Sequence, residues 1–271
     1  MAVVDEGAVP MAAAGPGGDP ARWRTLLRFE VLVVLALSYG RSAAYSLVDI
    51  LGKLTAHKAL NQQAAQINTP SSARPWLDLT YQVLDLTYGF TVVALVAYLL
   101  LREGASLRTI GFDFADPARD WARGALLAAG IGSAGLALYV AAVKMNLNAT
   151  VVPTTLADTW YRDPILVIQA LKNGVGEEVV VLGYLLRRFD QLGLSPLKSD
   201  LASSLVRGSY HLYQGFGGFV GNFVMGMIFC RAYRRWGRVM PLVVAHTLID
   251  TVTFLGWIYL VPHLGWIPRP Q

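Results

Sequence analysis

Apolar stretches of roughly membrane-spanning length, divided by short arginine clusters, constrain this chain more than any other feature. A hydrocarbon core of about 30 Å needs roughly 20 apolar residues in helix, with every backbone polar group bonded inside the segment. Runs at about 26–50, 81–101, 121–143, 164–186, 200–213, 216–232 and 239–261 meet or approach that length. The fifth is short and carries Arg207 and His211, so its place in the membrane depends on its neighbours. Only 15% of residues are charged, whereas a soluble domain carries about a quarter. The expected fold is an all-α membrane protein, a polytopic bundle of about seven transmembrane helices whose last four form the functional core.

Loop charge gives an orientation. Arg22, Arg24 and Arg28 precede the first run, and Arg102, Arg108, Arg119 and Arg123 separate the second from the third. Arg187, Arg188 and Lys198 follow the fourth, and Arg231, Arg234, Arg235 and Arg238 lead into the seventh. Alternate connections carry fewer cations, so the positive-inside rule puts the N-terminus in the cytoplasm. A net charge of +5 spread in this way serves membrane orientation, and no nucleic-acid partner is expected. Residues 1–22 read as a disordered cytoplasmic segment rich in Ala, Gly and Pro. Residues 23–261 read as a single transmembrane domain with its core at about 100–255, and 262–271 as a short tail. The first run lacks a small-residue cleavage site and is expected to be a retained anchor. Asp116-Pro117 reads as an N-cap and first helical residue for the third helix. Cys230 is the only cysteine, which leaves no internal disulfide. Residues 51–80 contain polar helical stretches such as "AHKALNQQAAQ".

Within the last four runs lie Glu177, Glu178, Arg207, His211, Asn222, His246 and Asp250. At about 1.5 Å per residue, Glu177, His211 and Asp250 fall roughly 15 Å from the cytoplasmic helix ends and His246 roughly 10 Å. Ionisable groups at one depth satisfy one another by facing a shared cavity. His246 and Asp250 share a helical face, as do Arg207 and His211. Glu177 and Glu178 are neighbours about 100° apart, so they should not point at the same spot; one faces the cavity while the other holds a partner. A carboxylate beside a neutral histidine suits water activation, and a second histidine with an aspartate one turn away could orient a carbonyl or steady an oxyanion. Taken singly, a histidine in an apolar helix is more often a hydrogen-bonded structural residue, and His246/Asp250 could simply lock two helices. The shared depth favours function. Asn222 is weaker and could only bridge helices. Gly217 and Gly221, four apart in "GGFVGNFVMG", read as a close helix-packing face.

Together these stretches resemble the CPBP family of intramembrane proteases, the CAAX protease, bacteriocin-processing or Abi family. That family shows Glu-Glu-x-x-x-Arg, then Phe-x-x-x-His, then His-x-x-x-Asn or Asp on successive membrane helices. Here the stretches are "EEVVVLGYLLRRF" from Glu177, "RGSYH" ending at His211, and "MPLVVAHTLID" carrying His246 and Asp250, with "SLRTIGFD" upstream. The resemblance implies a glutamate-dependent membrane endopeptidase that hydrolyses a peptide bond near a membrane-embedded or lipidated substrate end. Carried over by position, Glu177 and His211 activate the attacking water, His246 and Asp250 form the oxyanion-stabilising pair, and Glu178 supports the site. The expected setting is the bilayer of a bacterial cytoplasmic membrane. Two carboxylates and two histidines could hold zinc, although nothing in the sequence requires a metal.

The chain departs from the family pattern at three places. The motif arginine is Leu182, the phenylalanine before it is Val181, and the phenylalanine of the second motif is Arg207. We therefore expect a relocated cation, with Arg207 paired to Glu178 or Glu177. The other reading has Arg207 snorkelling to the interface. Loss of the motif arginine also keeps open a non-catalytic membrane binding or immunity partner that retains the polar cavity.

Overall fold

The computed structural model describes residues 19–270, so most of the expected disordered segment 1–22 lies outside the described residues. The first expected span is two helices, α1 (Pro20–Leu37) and α2 (Tyr39–Thr55), bent by 53° at Ser38. Ser38 leaves helical backbone (φ −134°, ψ −121°) and its Oγ bonds the Val34 carbonyl at 2.6 Å. Then follow α3 (Pro75–Gly89), α4 (Thr91–Arg102), α5 (Pro117–Lys144) and α6 (Arg162–Glu177). A π-helical stretch, Glu178–Tyr184, carries α6 into α7 (Leu185–Gln191), and α8 (Pro196–Tyr210), α9 (Phe216–Trp236) and α10 (Met240–Tyr259) complete the order. The fold is thus all-α apart from one small ribbon. Strands β1 (Ala64–Asn68) and β2 (Thr150–Thr154) pair in parallel, Ala64 opposite Thr150 and Asn68 opposite Thr154. Part of the stretch expected to be polar helix is therefore strand. Its Ala65 faces inward while Ala64 and Gln66 face out, an alternation that only strand geometry supplies.

By length and composition alone, fewer than the expected seven or so helices qualify as spans. Three segments are long and apolar enough to cross a membrane: Pro75–Arg102, Pro117–Lys144 and Met240–Tyr259. The bent pair α1–α2 makes a fourth if it counts as one span. The expected runs at 164–186, 200–213 and 216–232 are helical; the first is continuous from α6 into α7 but carries Lys172, Glu177 and Glu178, and α8 has only 15 residues. α9 interrupts its apolar run with Asn222, Arg231 and several glycines. Leu126 on α5 is 76% exposed while Arg207 on α8 is 1% exposed. That inside-out distribution, with apolar side chains outward and charge inward, is what a bilayer solvent selects. The chain is an integral membrane protein.

Close packing sets the positions of the functional helices. α10 lies against α5 and α6, and α8 lies against α9 and α2. A Cβ on Gly217 would sit 2.5 Å from Cβ of Ala142, and one on Gly221 would sit 3.2 Å from Leu138, so both glycines of α9 face α5. The start of α10 is held by the segment Ser106–Asp113. Val239 N donates to Ile110 O at 3.1 Å and Met240 N to Gly111 O at 3.2 Å. Arg238 then ties Asp120 (2.6 Å) and Asp113 (3.0 Å) to this turn. The Ala115 N–H, opposed by partial desolvation and reinforced by Arg238, holds the Asp113 carboxyl below the usual carboxylate range. Asp116 does precede α5, but its side chain makes no capping bond and pairs instead with Arg119 at 3.0 Å.

Arg188 on α7 is fully buried and bonds Glu30 of α1 at 2.7 Å, Glu103 after α4 at 2.5 Å and Gln191 at 2.8 Å. Removing one partner of such a cluster leaves buried charge uncompensated, at about 3–5 kcal/mol. Arg188→Met is expected to lower the thermal midpoint of the detergent-solubilised protein by roughly 10 °C. Arg187→Met, whose side chain is 30% exposed and 3.6 Å from Glu103, should change it little. Equal midpoints for the two variants would show that the Arg188 cluster does not hold α1, α4 and α7 together.

Candidate active site

Glu177 closes α6 and Glu178 opens the π-helical stretch. π-Helical turns recur at functional sites because they displace side chains from the ordinary α-helical stacking. Ser203 of α8 donates to the Val181 carbonyl at 2.5 Å within this stretch, so the distorted backbone stays bonded. Both glutamates are buried, Glu177 to 7% and Glu178 to 0% exposure.

Arg207 meets them both. Its Nη2 bonds the two carboxylate oxygens of Glu178, each at 2.8 Å, and its Nη1 reaches Oε2 of Glu177 at 3.3 Å. The expectation that neighbouring glutamates could not serve one spot is corrected here, because a planar guanidinium is wide enough to bridge two carboxylates. The snorkelling alternative fails as well: Arg207 is buried, and its guanidinium packs 5.5 Å over the Phe229 ring. Glu178 is the main partner and Glu177 the secondary one, as the distances rank them.

His246 on α10 completes the Glu178 environment, its Nδ1 2.7 Å from Oε1. A carboxylate that already accepts from Arg207 can only accept again, so Nδ1 carries the proton and Nε2 turns toward the centre. There Nε2 lies 4.0 Å from Oε2 of Glu177 and 3.8 Å from Oδ1 of Asp250. His211 Nε2 lies 3.9 Å from the same Glu177 oxygen. All three separations are too long for direct hydrogen bonds. His211 Nε2 is buried without any hydrogen-bond partner, an orphan that buried polar groups seldom are. The four groups therefore surround a small polar gap and do not satisfy one another.

All six residues singled out in the sequence, Glu177, Glu178, Arg207, His211, His246 and Asp250, come together from α6, the π-helical stretch, α8 and α10. His211 is not inside a helix as expected. α8 ends at Tyr210, and His211 (φ −99°, ψ 0°) begins a tight turn through Leu212–Gln214 to Gly215 at φ +119°, a conformation open to glycine. Asn222 does not bridge helices; its Nδ2 returns to Gly218 O in its own helix at 3.0 Å. Three residues were not foreseen. Asn173 donates to Oδ2 of Asp250 at 2.9 Å, Gln214 Nε2 lies 3.4 Å from His211 Nδ1, and the Tyr210 hydroxyl donates to Oε2 of Glu177 at 2.5 Å. Asn173 stands one helical turn before Glu177, a spacing that could have flagged it. Tyr210 and Gln214 gave no such sign, since neither is costly enough in a membrane to attract notice.

Ligand atoms of Glu177, Glu178 and His246 lie within 4.8 Å of one another, a grouping that could hold a metal ion. As arranged, the guanidinium of Arg207 already fills the cation position between the two carboxylates. A divalent ion would have to displace it, and the donor set does not fit a metal without that rearrangement.

Residues 159–252 match the family model described as Rce1-like, type II CAAX prenyl endopeptidase Rce1-like. No curated protein and no solved structure matches the chain. The matched segment holds both glutamates, Arg207, both histidines and Asp250, and it includes two of the three helices that lie around the gap in full or nearly so. Residues 159–252 are thus similar to the Rce1-like type II CAAX prenyl endopeptidase family, in agreement with the CAAX protease resemblance that the motifs carry.

Proposed function

We propose that the protein is a glutamate-dependent intramembrane endopeptidase that cuts a peptide bond near a membrane-embedded or lipidated end of its substrate. The observation that carries this reading is the gap edged by Glu177 Oε2, His211 Nε2 and His246 Nε2, with His211 Nε2 left unpartnered. A water there would give a proton to Glu177 at Oε1, the carboxylate oxygen that accepts no other bond among the described residues, with His211 orienting it, and attack the scissile carbonyl. His246 would donate from Nε2 to the developing oxyanion, with Asp250 beside it. That donation requires an imidazolium, because Nδ1–H is committed to Glu178. Arg207 offsets one of the carboxylates Glu177, Glu178 and Asp250 that meet here, and the remaining negative charge favours such an imidazolium. The proton held by Glu177 then passes to the leaving amine as the C–N bond breaks, restoring the site. The arginine distribution supports a cytoplasmic N-terminus, and the setting we favour is a bacterial cytoplasmic membrane.

Arg207 takes the part of the missing motif arginine: it donates to both oxygens of Glu178 and so fixes the proton of His246 on Nδ1, while its weaker approach leaves Glu177 able to act as base. Arg207→Leu should abolish cleavage, and Arg207→Leu combined with Leu182→Arg should recover part of it. A double variant no better than either single one would refute the relocation. Because Arg207 holds the cation position, chelator treatment is expected to leave cleavage within about twofold, whereas loss of activity restored by zinc would establish a metal there.

The central test profiles new N- and C-termini of membrane proteins in cells carrying wild type, Glu177→Gln or His211→Ala. Termini generated by the wild type should fall by about 100-fold or more in both variants. Identical profiles in all three, with the wild-type phenotype retained, would instead indicate a non-catalytic partner that docks a peptide in the cavity.

A further inference from the structure

We propose that Tyr210 is a positioning residue that holds the Glu177 carboxylate in register with His211; the proposal rests on the reading of Glu177 as the water-activating group. Four observations converge on it. The phenol donates to Oε2 of Glu177 at 2.5 Å, much the shortest contact that this carboxylate makes; Arg207 follows at 3.3 Å. Among the described residues nothing bonds Oε1, so the carboxylate is anchored through one oxygen and keeps the other as a free acceptor. Tyr210 is itself 6% exposed and wedged between rings, with Tyr39 at 5.0 Å and His211 at 4.7 Å between centroids. Its position is also fixed by the backbone, since it is the last residue of α8 and His211 is the first past it.

The consequence is geometric. A phenol and an imidazole leave adjacent residues at one helix end, the phenol bonded to Glu177 and the imidazole held 3.9 Å from the same oxygen. Tyr210 therefore sets the width of the gap that a reacting water must fill. Tyr39, at the elbow between α1 and α2, buttresses the ring from the other side. Without the hydroxyl, Glu177 would keep only the longer bond from Arg207 and could swing toward it, opening the gap to His211. A purely structural tyrosine would serve as well as phenylalanine here; a positioning one would not.

The experiment compares wild type, Tyr210→Phe and Tyr161→Phe as full chains in bilayer discs. The control removes another buried phenol, that of Tyr161, which bonds the Pro75 carbonyl at 3.0 Å and Asp78 at 3.4 Å and packs in a separate apolar cluster with Leu156 and Ile165. Two readouts are taken: cleavage of an internally quenched farnesylated peptide ending in Cys-aliphatic-aliphatic-X, and the rate at which dicyclohexylcarbodiimide modifies Glu177, followed by mass spectrometry. Tyr210→Phe is expected to lower kcat about tenfold or more with KM nearly unchanged, the scale of one hydrogen bond to a charged group. It should also speed modification of Glu177 severalfold, while Tyr161→Phe alters neither. Wild-type kcat in Tyr210→Phe overturns the positioning role even if labelling changes. Where the wild type leaves the peptide uncut, or Glu177→Gln cuts it equally well, the protease reading falls and labelling alone decides. Faster labelling then keeps Tyr210 as the group that holds Glu177, and an unchanged rate removes it.

Discussion

One guanidinium makes the rest of the polar chamber tenable. Two adjacent carboxylates, buried among Val179, Val180, Val181 and Leu182, would repel each other strongly in a medium of low dielectric. Arg207 answers them from the facing helix, bidentate to Glu178 and monodentate to Glu177. Every other feature of the site follows from that allocation. With both oxygens of Glu178 accepting from Arg207, His246 must present Nδ1–H to it and turn Nε2 to the centre. With Glu177 held more loosely, one of its oxygens is left without a partner.

The helices around this centre are shaped to deliver it. The π-helical stretch brings Glu178 onto the Arg207 fork beside Glu177, and Ser203 satisfies a carbonyl that the distortion puts at risk. α8 stops at Tyr210, so His211 hangs from a turn inside the bundle and not from a continuous helix. α10 is seated at its start by Ile110 and Gly111 and pressed along its length against α5 and α6. Chemistry-bearing residues thus sit on rigid elements, and the only loop among them is the three-residue turn that follows His211.

Much of the candidate site was legible because membranes make charge conspicuous. Glu177, Glu178, Arg207, His211, His246 and Asp250 stand out against apolar neighbours, and their common depth already suggested a shared cavity. Tyr210 and Gln214 were invisible by the same rule, since a neutral hydroxyl or amide costs far less to bury and its partner is named only by proximity, while Asn173 offered only its spacing from Glu177. The boundaries of helices were legible where proline was read as a start, as at Pro117, whereas the start of α8 at Pro196 lies ahead of the expected run at 200–213. The elbow at Ser38 and the strand at Ala64–Asn68 were not legible. Ser38 sits in an apolar run with no proline to announce a break, and the strand exists only because residues 150–154 lie alongside it.

What the sequence alone determined is the solvent and the cast. Apolar run length and arginine placement set an all-α membrane chain, and the isolated polar residues named the groups that must meet, because each is too costly to leave unpaired in hydrocarbon. Only the tertiary structure decided who pairs with whom. Periodicity fixes the angle of a side chain about its own helix but carries no information on the approach of the next one. The choice of Glu178 over Glu177 by Arg207, the proton position on His246 and the short bond from Tyr210 depend on separations of a few ångströms between helices, and those are set by packing across the bundle.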